Sequence, residues 1–444
     1  MKRKKLLILG LGISGKSAAK AMAKKEVNVF VYDDNIKSIP DELKNLNIEF
    51  IVNSSDVMSK EFDLIMKSPG IKPDNPVVRE LSKKNIEIIS DIELAFRFKK
   101  NQKIIAITGT NGKTTTTSLI NEILLSCGKK SKVVGNIGVG AVEEFTNEEN
   151  DYLVLECSSF QLDNIKEFKA EISVITNITT DHLDYHKTVD NYINAKLNLL
   201  SNLDENNYVV LNNDDTILKK IDGNFKIVLI SGEETLDNGF YYDNGYIYEV
   251  ENKNIVSSLD TSKIIIKGLH NYYNIMCALS VAKILKLDKK KVYDAIYNFP
   301  GVKHRLQFVK KINGVSYYND SKGTNADSTI KAISSFNDPI VLILGGYNKN
   351  EDFRYLLDFG KSKIKSIIVL GDTKEYIFDL ANSKGFDKVY KVNNLTEAID
   401  LSQKITEDGD VLLFSPACAS WDMYKNFEER GDEFISLVEK IDGI

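Results

Sequence analysis

Thr108-Gly109-Thr110-Asn111-Gly112-Lys113-Thr114-Thr115 is the stretch on which the fold of this chain turns. It follows an apolar run at 104–107 that reads as a buried strand, and it precedes residues 118–125, which read as a helix. Strand, glycine turn, Lys-Thr and helix together make a cradle for a nucleotide phosphate. The glycines let backbone N–H groups turn toward the anion, and the helix N-terminus adds partial positive charge. Lys113 is placed to reach the outer phosphates, and the Thr114 hydroxyl to hold Mg²⁺. The spacing departs from the usual Walker form, because Ile107 stands where its first glycine would be. The four threonines Thr114–Thr117 are poor helix formers, and a sequence that breaks a local rule often does so at a site.

Outward from this loop the bulk of the chain is ordinary. Its 444 residues suggest about three domains, and 43% hydrophobic with 27% charged residues is a globular composition. A net charge of −5 argues against a nucleic-acid surface, so an anionic ligand must be held by local features. The four cysteines are isolated, which suits a reducing compartment. The apolar runs are strand-length, far short of a membrane span, and the run at 6–9 is too short for a signal-peptide core. These features give the expectation of a cytoplasmic protein.

The fold class expected is α/β in three domains. Residues 1–100 alternate strands (6–9, 27–32) with a helix at 16–25, as a Rossmann-like domain with a parallel sheet. Residues 101–300 form a central P-loop ATPase-type α/β domain. It has strand candidates at 103–107, 152–156, 172–176 and 208–211, then a β-rich insert with a turn at 243–245, then a long helix at 271–287. Residues 301–444 restart the alternation as a C-terminal Rossmann-like domain. It opens with a hairpin at Asn313-Gly314, continues through strands at 340–344, 367–370 and 411–414, and ends in a helix carrying 421–439.

Several further motifs carry chemistry. Gly10-x-Gly12-x-x-Gly15, with the acid pair Asp33-Asp34 about twenty residues on, fits a diphosphate at a helix N-terminus without specifying the cofactor. Glu156, at a strand end in Glu156-Cys157-Ser158-Ser159-Phe160-Gln161, is a metal or water ligand facing the phosphate loop, or a solvated loop acid. His182 and His186, spaced to share a helix face, lack the Glu at 183 that a zinc hydrolase needs. One histidine assisting Mg²⁺ among phosphates fits better. All four histidines, with His270 and His304, lie in polar, motif-like stretches. Lys196 alone reads as a lysine on a solvated face. Asn319-Asp320-Ser321-Lys322-Gly323-Thr324-Asn325 is an anion site or simply a capped helix start. Trp421, in the stretch 415–422, is a packing residue or a ligand contact.

Taken in order, Thr-Gly-Thr-Asn-Gly-Lys-Thr, Glu-x-Ser-Ser-Phe-Gln-Leu, Asp-His-x-Asp, His-Asn-x-x-Asn and His-Arg resemble the Mur ligases over nearly the whole length. Asp-Ser-Lys-Gly-Thr-Asn and Ser-Pro-Ala-Cys-Ala-Ser-x-Asp resemble the members that add D-glutamate. The resemblance implies an ATP- and Mg²⁺-dependent amide ligase acting on UDP-N-acetylmuramoyl-L-alanine in peptidoglycan precursor synthesis. It implies a monomer working on small molecules, without nucleic acid or membrane insertion. Gly12, Ser14, Gly15, Asp33, Ser68 and Gly70 would line the uridine diphosphate pocket, and Asn136, Ser158 and Gln161 would contact the muramoyl-alanine part. Gly109, Thr110, Asn111, Gly112, Lys113, Thr114 and Thr115 would hold the ATP phosphates, with Asn271 on adenine, Asp320 on the ribose and Arg305 nearby. Thr114, Glu156, His182 and Lys196, the last matching a carbamylated position, would complete the metal sites. Lys113, Lys196, His182 and His304 would be catalytic, with His304 a candidate for proton handling. Lys322, Thr324, Lys349, Ser420 and Phe427 would hold D-glutamate.

The loop Gly345-Gly346-Tyr347-Asn348-Lys349 lacks the Asp that many relatives carry there. Other readings are a related ligase of the Mur or folylpolyglutamate type with a different acceptor, an ATP-binding regulatory protein, or a nicotinamide oxidoreductase. The last leaves the Lys113 loop unexplained.

Overall fold

The computed structural model describes residues 4–179, 182–347 and 351–442. The chain divides into two compact units, Met1–Lys263 with Leu269–Tyr297, and Ile264–Gly268 with Asn298–Ile444.

The first unit holds two sheets. In the first, parallel strands run in the order Ile48–Ile51, Val27–Tyr32, Lys4–Leu9, Leu64–Lys67, Ile88–Ile89. In the second the order is Asn254–Asp260, Tyr246–Glu251, Gly239–Asp243, Lys226–Ser231, Tyr208–Asn212, Ile172–Ile175, Lys103–Thr108, Tyr152–Glu156, Ser131–Gly135. The strands of its parallel part are buried on both faces, as expected where helices cover a sheet. The β-rich insert continues this sheet. Ile230 pairs in parallel with Phe240, and the hairpin of Gly239–Asp243 with Tyr246–Glu251 extends the edge. Its turn residues Asn244 and Gly245 both have positive φ, the geometry that Asn-Gly supplies at low cost. One continuous apolar core joins the two sheets, from Leu6 and Ile8 through Ile92 and Leu94 to Ile104 and Leu155.

In the second unit the sheet order is Gln307–Ile312, Val315–Asn319, Val411–Phe414, Ile340–Gly345, Ile364–Leu370, Val389–Lys391. All pairs are parallel except the edge hairpin at Asn313-Gly314. Alternate residues of its central strands feed two apolar cores, one on each face.

Several local expectations need correction. The first helix is Ile13–Met22, so it starts inside the glycine turn rather than at residue 16. The helix after the phosphate loop starts at Lys113 and takes in all four threonines. Thr116 Oγ1 donates to Asn274 Oδ1 at 3.2 Å, and that contact offsets the poor propensity. His182 and His186 do not share a helix face. His182 has φ +51° and precedes the single turn Leu183–His186, which it cannot join with that backbone. The last helix is Phe427–Glu439, capped by the Asn426 side chain on Glu429 N, so Trp421 lies outside it and is exposed.

Candidate active site

The signature glycine turns and the residues that surround them lie just beyond the C-terminal ends of parallel strands, where open α/β sheets bind ligands. In the first sheet, Gly10 has φ +85°, and a Cβ on Gly15 would lie 1.8 Å from Gly10 O, so only glycine allows this strand–helix crossing. The Asp33 carboxylate accepts from Leu11 N at 2.8 Å and from Asn35 N at 2.8 Å, tying two strand-end loops together. Ser68 Oγ donates to Gly10 O at 2.9 Å. A pocket opens here, lined by Gly10, Asp33, Asn35, Ile71 and Asn75. Gly12 and Gly70 have open space where a side chain would be. Ser14 turns the other way and donates to Asp91 Oδ2 at 2.6 Å.

Asp91, which sequence reasoning passed over, is fully buried, and burial raises its pKa. It also accepts from Gln161 Nε2 at 3.2 and 3.0 Å. Gln161 closes a capping box with Ser158, so Ser14, Asp91, Gln161 and Ser158 form one chain of hydrogen bonds. Lys67 is a second buried group that sequence reading missed. Its ammonium donates to Ile71 O at 2.9 Å and to Tyr185 OH at 3.1 Å, and burial lowers its pKa to about 8.

In the second sheet the phosphate loop has Gly109 at φ +145° and Gly112 at φ +82°. A Cβ on Gly109 would meet Thr176 Oγ1 at 2.0 Å, and one on Gly112 would meet Asn274 Oδ1 at 2.3 Å. The neighbouring strand end holds the loop from beneath. Thr110 N donates to Asn177 O at 2.8 Å, Asn111 N to Asn177 Oδ1 at 3.0 Å, and Thr176 Oγ1 to Asn111 O at 2.6 Å. Two ammonium groups converge on one carbonyl: Lys113 Nζ lies 2.9 Å and Lys196 Nζ 2.7 Å from Gly109 O. Lys196 is 2% exposed and sits over the Tyr192 ring at 4.7 Å, so the reading of a solvated lysine is wrong. The loop is therefore strongly cationic before any ligand enters.

Glu156 is 1% exposed, not a solvated loop acid, and its strand pairs beside the one that leads into the loop. Its Oε1 accepts from Asn136 Nδ2 at 2.7 Å, while Oε2 is buried with no hydrogen-bond partner among the described residues. A buried carboxylate oxygen left this way is costly unless a cation satisfies it, so the residues present fit a divalent metal. Thr114 is buried at the helix start and Thr115 half-buried. The exposed His182 ring lies 4.9 Å from Phe160, and His186 Nε2 lies 2.9 Å from Ser159 Oγ, buried rather than in an open loop. Asn271 is buried near the start of Leu269–Ile284. That helix contacts Gly112 through Asn274.

In the second unit, Asp320 accepts from Leu306 N at 3.0 Å and from Ser415 Oγ at 2.7 Å. Burial pushes its pKa up to about 6. Lys322 Nζ lies 5.6 Å over the Phe427 ring, and His304 meets the same ring edge-on at 6.2 Å. Thr324 is half-buried, Ser420 buried and Arg305 exposed. Lys349 lies outside the described residues. The turn 319–322 and the loop 415–420 are joined by Arg430, another residue missed from sequence. Its guanidinium donates to Ser321 Oγ at 3.0 Å, Ser321 O at 2.8 Å, Cys418 O at 3.1 Å and Ala419 O at 3.1 Å. Gly431 in mid-helix was the available signal. Glycine is costly there, and a Cβ would strike His304 Nδ1 at 2.1 Å.

Comparison with known proteins matches the chain to three family models. They are the Mur ligase MurD-like N-terminal domain over residues 4–90, the Mur ligase middle domain over 107–282, and the Mur ligase glutamate ligase domain over 304–418. The chain is 41% identical over 450 residues to a UDP-N-acetylmuramoylalanine–D-glutamate ligase of Clostridioides difficile, covering 99% of both. It is 42% identical over 456 residues to one of a Thermoanaerobacter species, again covering 99% of both. Among solved structures, a UDP-N-acetylmuramate-alanine ligase from Thermotoga maritima shares the fold with a TM-score of 0.59 at 20% identity, over 98% of this chain and 99% of that one.

Proposed function

This chain belongs to the Mur ligases, and we propose from that premise that it joins D-glutamate to UDP-N-acetylmuramoyl-L-alanine at the expense of ATP. The observation that carries the reading is the full-length match to relatives named for that reaction.

The L-alanyl carboxylate is a poor electrophile. Its oxygen attacks the γ-phosphorus of ATP, ADP leaves, and an acyl phosphate results. The D-glutamate amine then attacks the acyl carbon, and phosphate departs from a tetrahedral intermediate. Such chemistry is accelerated mainly by positioning and charge neutralisation. Lys113, the loop amides and the N-terminus of Lys113–Ser126 hold the ATP phosphates. By the resemblance, Asn271 would contact adenine, and Asp320 and Arg305 would contact ATP from their own motifs. The turn of Gly12 to Gly15, with Asp33, Ser68 and Gly70, takes the uridine diphosphate. Asn136, Ser158 and Gln161 orient the muramoyl-alanine end. Lys322, Thr324, Lys349, Ser420 and Phe427 hold the amino acid.

Mg²⁺ would be held by Thr114, Glu156 and His182, and would supply charge neutralisation among the phosphates. Carbamylation of Lys196 would turn a donor to Gly109 O into an anionic acceptor beside them. The protein acts as a cytoplasmic monomer in making peptidoglycan precursors for cell-wall growth and division. No helix among the described residues is long and apolar enough to cross a membrane.

The test is inorganic phosphate release with ATP, Mg²⁺ and UDP-N-acetylmuramoyl-L-alanine, with and without D-glutamate. L-glutamate and a folate acceptor run alongside. Release that needs both the nucleotide sugar and D-glutamate is the expected result. Release that ignores D-glutamate but answers to another acceptor moves the chain to a different reaction of the family.

A further inference from the structure

The His304 side chain is 4% exposed, and its two ring nitrogens have different surroundings. Nδ1 lies 3.0 Å from Asn319 Nδ2. The orientation of the Asn319 amide is fixed from both ends. Its Oδ1 accepts from Ser321 N at 3.1 Å, and its Nδ2 also donates to Gly431 O at 3.1 Å. A flipped amide would lose both backbone bonds. Asn319 therefore presents a donor to the ring, and Nδ1 must accept. A neutral imidazole that accepts at Nδ1 carries its proton at Nε2. That Nε2 is buried and unpartnered among the described residues. The nearest carboxylate oxygen, Asp432 Oδ1, is 3.6 Å away and turned to Lys303 Nζ at 2.6 Å. Burial lowers the His304 pKa, which keeps the ring neutral. The backbone holds it equally firmly: His304 has φ +63°, its N donates to Gln307 Oε1 at 2.9 Å, and its O accepts from Lys322 N at 2.9 Å.

We propose that Asn319 is a positioning residue that locks His304 as the Nε2–H tautomer. His304 then serves the reaction as a hydrogen-bond donor to an anionic substrate oxygen, not as the base that deprotonates the amine. This rests on the ligase reading above. The lone pair a base would use is engaged by Asn319, whereas an unsatisfied buried N–H is what an oxyanion or carboxylate oxygen would complete. Lys322, over the same Phe427 ring that His304 abuts, brings positive charge to this place.

Three measurements test it. Long-range ¹H–¹⁵N spectra of histidine-labelled wild type read the tautomer directly, and His304→Gln assigns the signal among four histidines. A pyridine-type Nδ1 and a pyrrole-type Nε2 are expected, and the reverse pattern overturns the proposal. Gln can donate from its amide but cannot act as a base. His304→Gln is therefore expected to stay within ~10-fold of the wild-type rate while His304→Ala loses ~100-fold, the scale of a missing oxyanion donor. Equal loss in both folded variants refutes the donor role. A rise in KM for D-glutamate in His304→Ala identifies its carboxylate as the acceptor. A fall in kcat alone identifies an oxygen that gains charge during reaction.

In Asn319→Asp the carboxylate accepts a hydrogen bond from Nδ1–H, so the neutral ring carries its proton at Nδ1, which leaves Nε2 as an acceptor and raises the ring pKa. Lowering the pH then restores Nε2–H, so the ratio of variant to wild-type rate is expected to climb toward acid. The charged groups facing the ring are Asp432 and Glu428 from the last helix, Lys303 beside it and Lys322 from the turn, and all four are unchanged in this comparison. A ratio that is flat or falls toward acid refutes the role of Asn319. If wild type shows no D-glutamate-dependent turnover, the ligase reading fails, while the spectra still report the tautomer.

Discussion

Replacing Arg430 by Lys keeps the charge and removes the fork. The guanidinium makes four hydrogen bonds, three of them to the backbone carbonyls of Ser321, Cys418 and Ala419, which lie on two separate loops. A lysine presents its donors from a single point on a flexible stem, so it cannot span both loops. Ala419 O keeps a bond from Tyr347 N at 3.0 Å, so at least one acceptor, Ser321 O or Cys418 O, is left buried and unpaired. That is a loss of about 1–3 kcal/mol. Burial already pulls the arginine pKa down to about 10, and an ammonium, more strongly hydrated, suffers more from the same site. Much of the cost falls on the register between the 319–322 turn and the 415–420 loop. These carry Lys322 and Ser420. If about 1.4 kcal/mol of it appears in ligand binding, KM for D-glutamate rises ~10-fold, while KM for ATP barely moves. A single melting curve is a poor readout for a chain of two units. Hydrogen exchange at amides 318–324 and 415–424 is better, and faster exchange confined to those segments is expected. Wild-type exchange together with a wild-type KM for D-glutamate would refute the reasoning.

Lys113→Ala should abolish most ATP-dependent phosphate release, by ~100-fold or more, in a variant checked to be folded by circular dichroism; undiminished turnover would remove it from the phosphate site. Glu156→Gln should raise the Mg²⁺ concentration for half-maximal rate by at least ~10-fold, about 1.4 kcal/mol of ligand energy, and an unchanged Mg²⁺ titration would show that its unpartnered oxygen is not a ligand. Asp320 has a folded pKa of about 6 against 3.8 for the free group, so the folded state holds the proton more tightly than the unfolded chain. Its burial therefore opposes folding above about pH 6, and that penalty is relieved as pH falls through this value toward 3.8. Asp320→Asn should flatten that part of the stability profile of the second unit, as read by denaturant titrations across the same pH range.

What could be read from the sequence was what is local. The glycine turns at Gly10–Gly15 and Gly109–Gly112 are legible because backbone geometry dictates the residue type. The strands are legible because two-sided burial leaves apolar runs. Lys196 was legible only through family resemblance, since nothing in its own helix says that the lysine turns inward to Gly109 O. Asp91 and Lys67 are not legible at all, and for Arg430 the one signal is the mid-helix Gly431 beside it. Each is an ordinary charged residue in a charged neighbourhood, and its role comes from partners 70 to 118 positions away. His182 was misread because i, i+4 spacing implies a shared face only if the first residue is helical, and its φ of +51° prevents that. The expected boundary at Trp421 is too early because the start signal, Asn426 capping Glu429 N, lies inside a polar stretch that does not stand out from its neighbours.

Several buried polar groups of the first unit bond residues of its N-terminal sheet region to residues of the second. Ser14 and Asp91 reach Gln161 and Ser158, and Lys67 reaches Tyr185, which packs on Phe160 at 4.3 Å. Apolar contacts alone would hold the sheets together, as the shared core does, but they tolerate sliding. Directional bonds between buried groups do not, because any shift strands a charge or an amide. The turn at Gly10–Gly15 and the loop at Gly109–Gly112 are thus tied together within the first unit. For a substrate gripped by its uridine diphosphate at one turn and reacting at the other, that rigidity has a kinetic use. Binding energy gained far from the reacting carboxylate becomes positioning at it, and that is the part of catalysis a loose connection would forfeit.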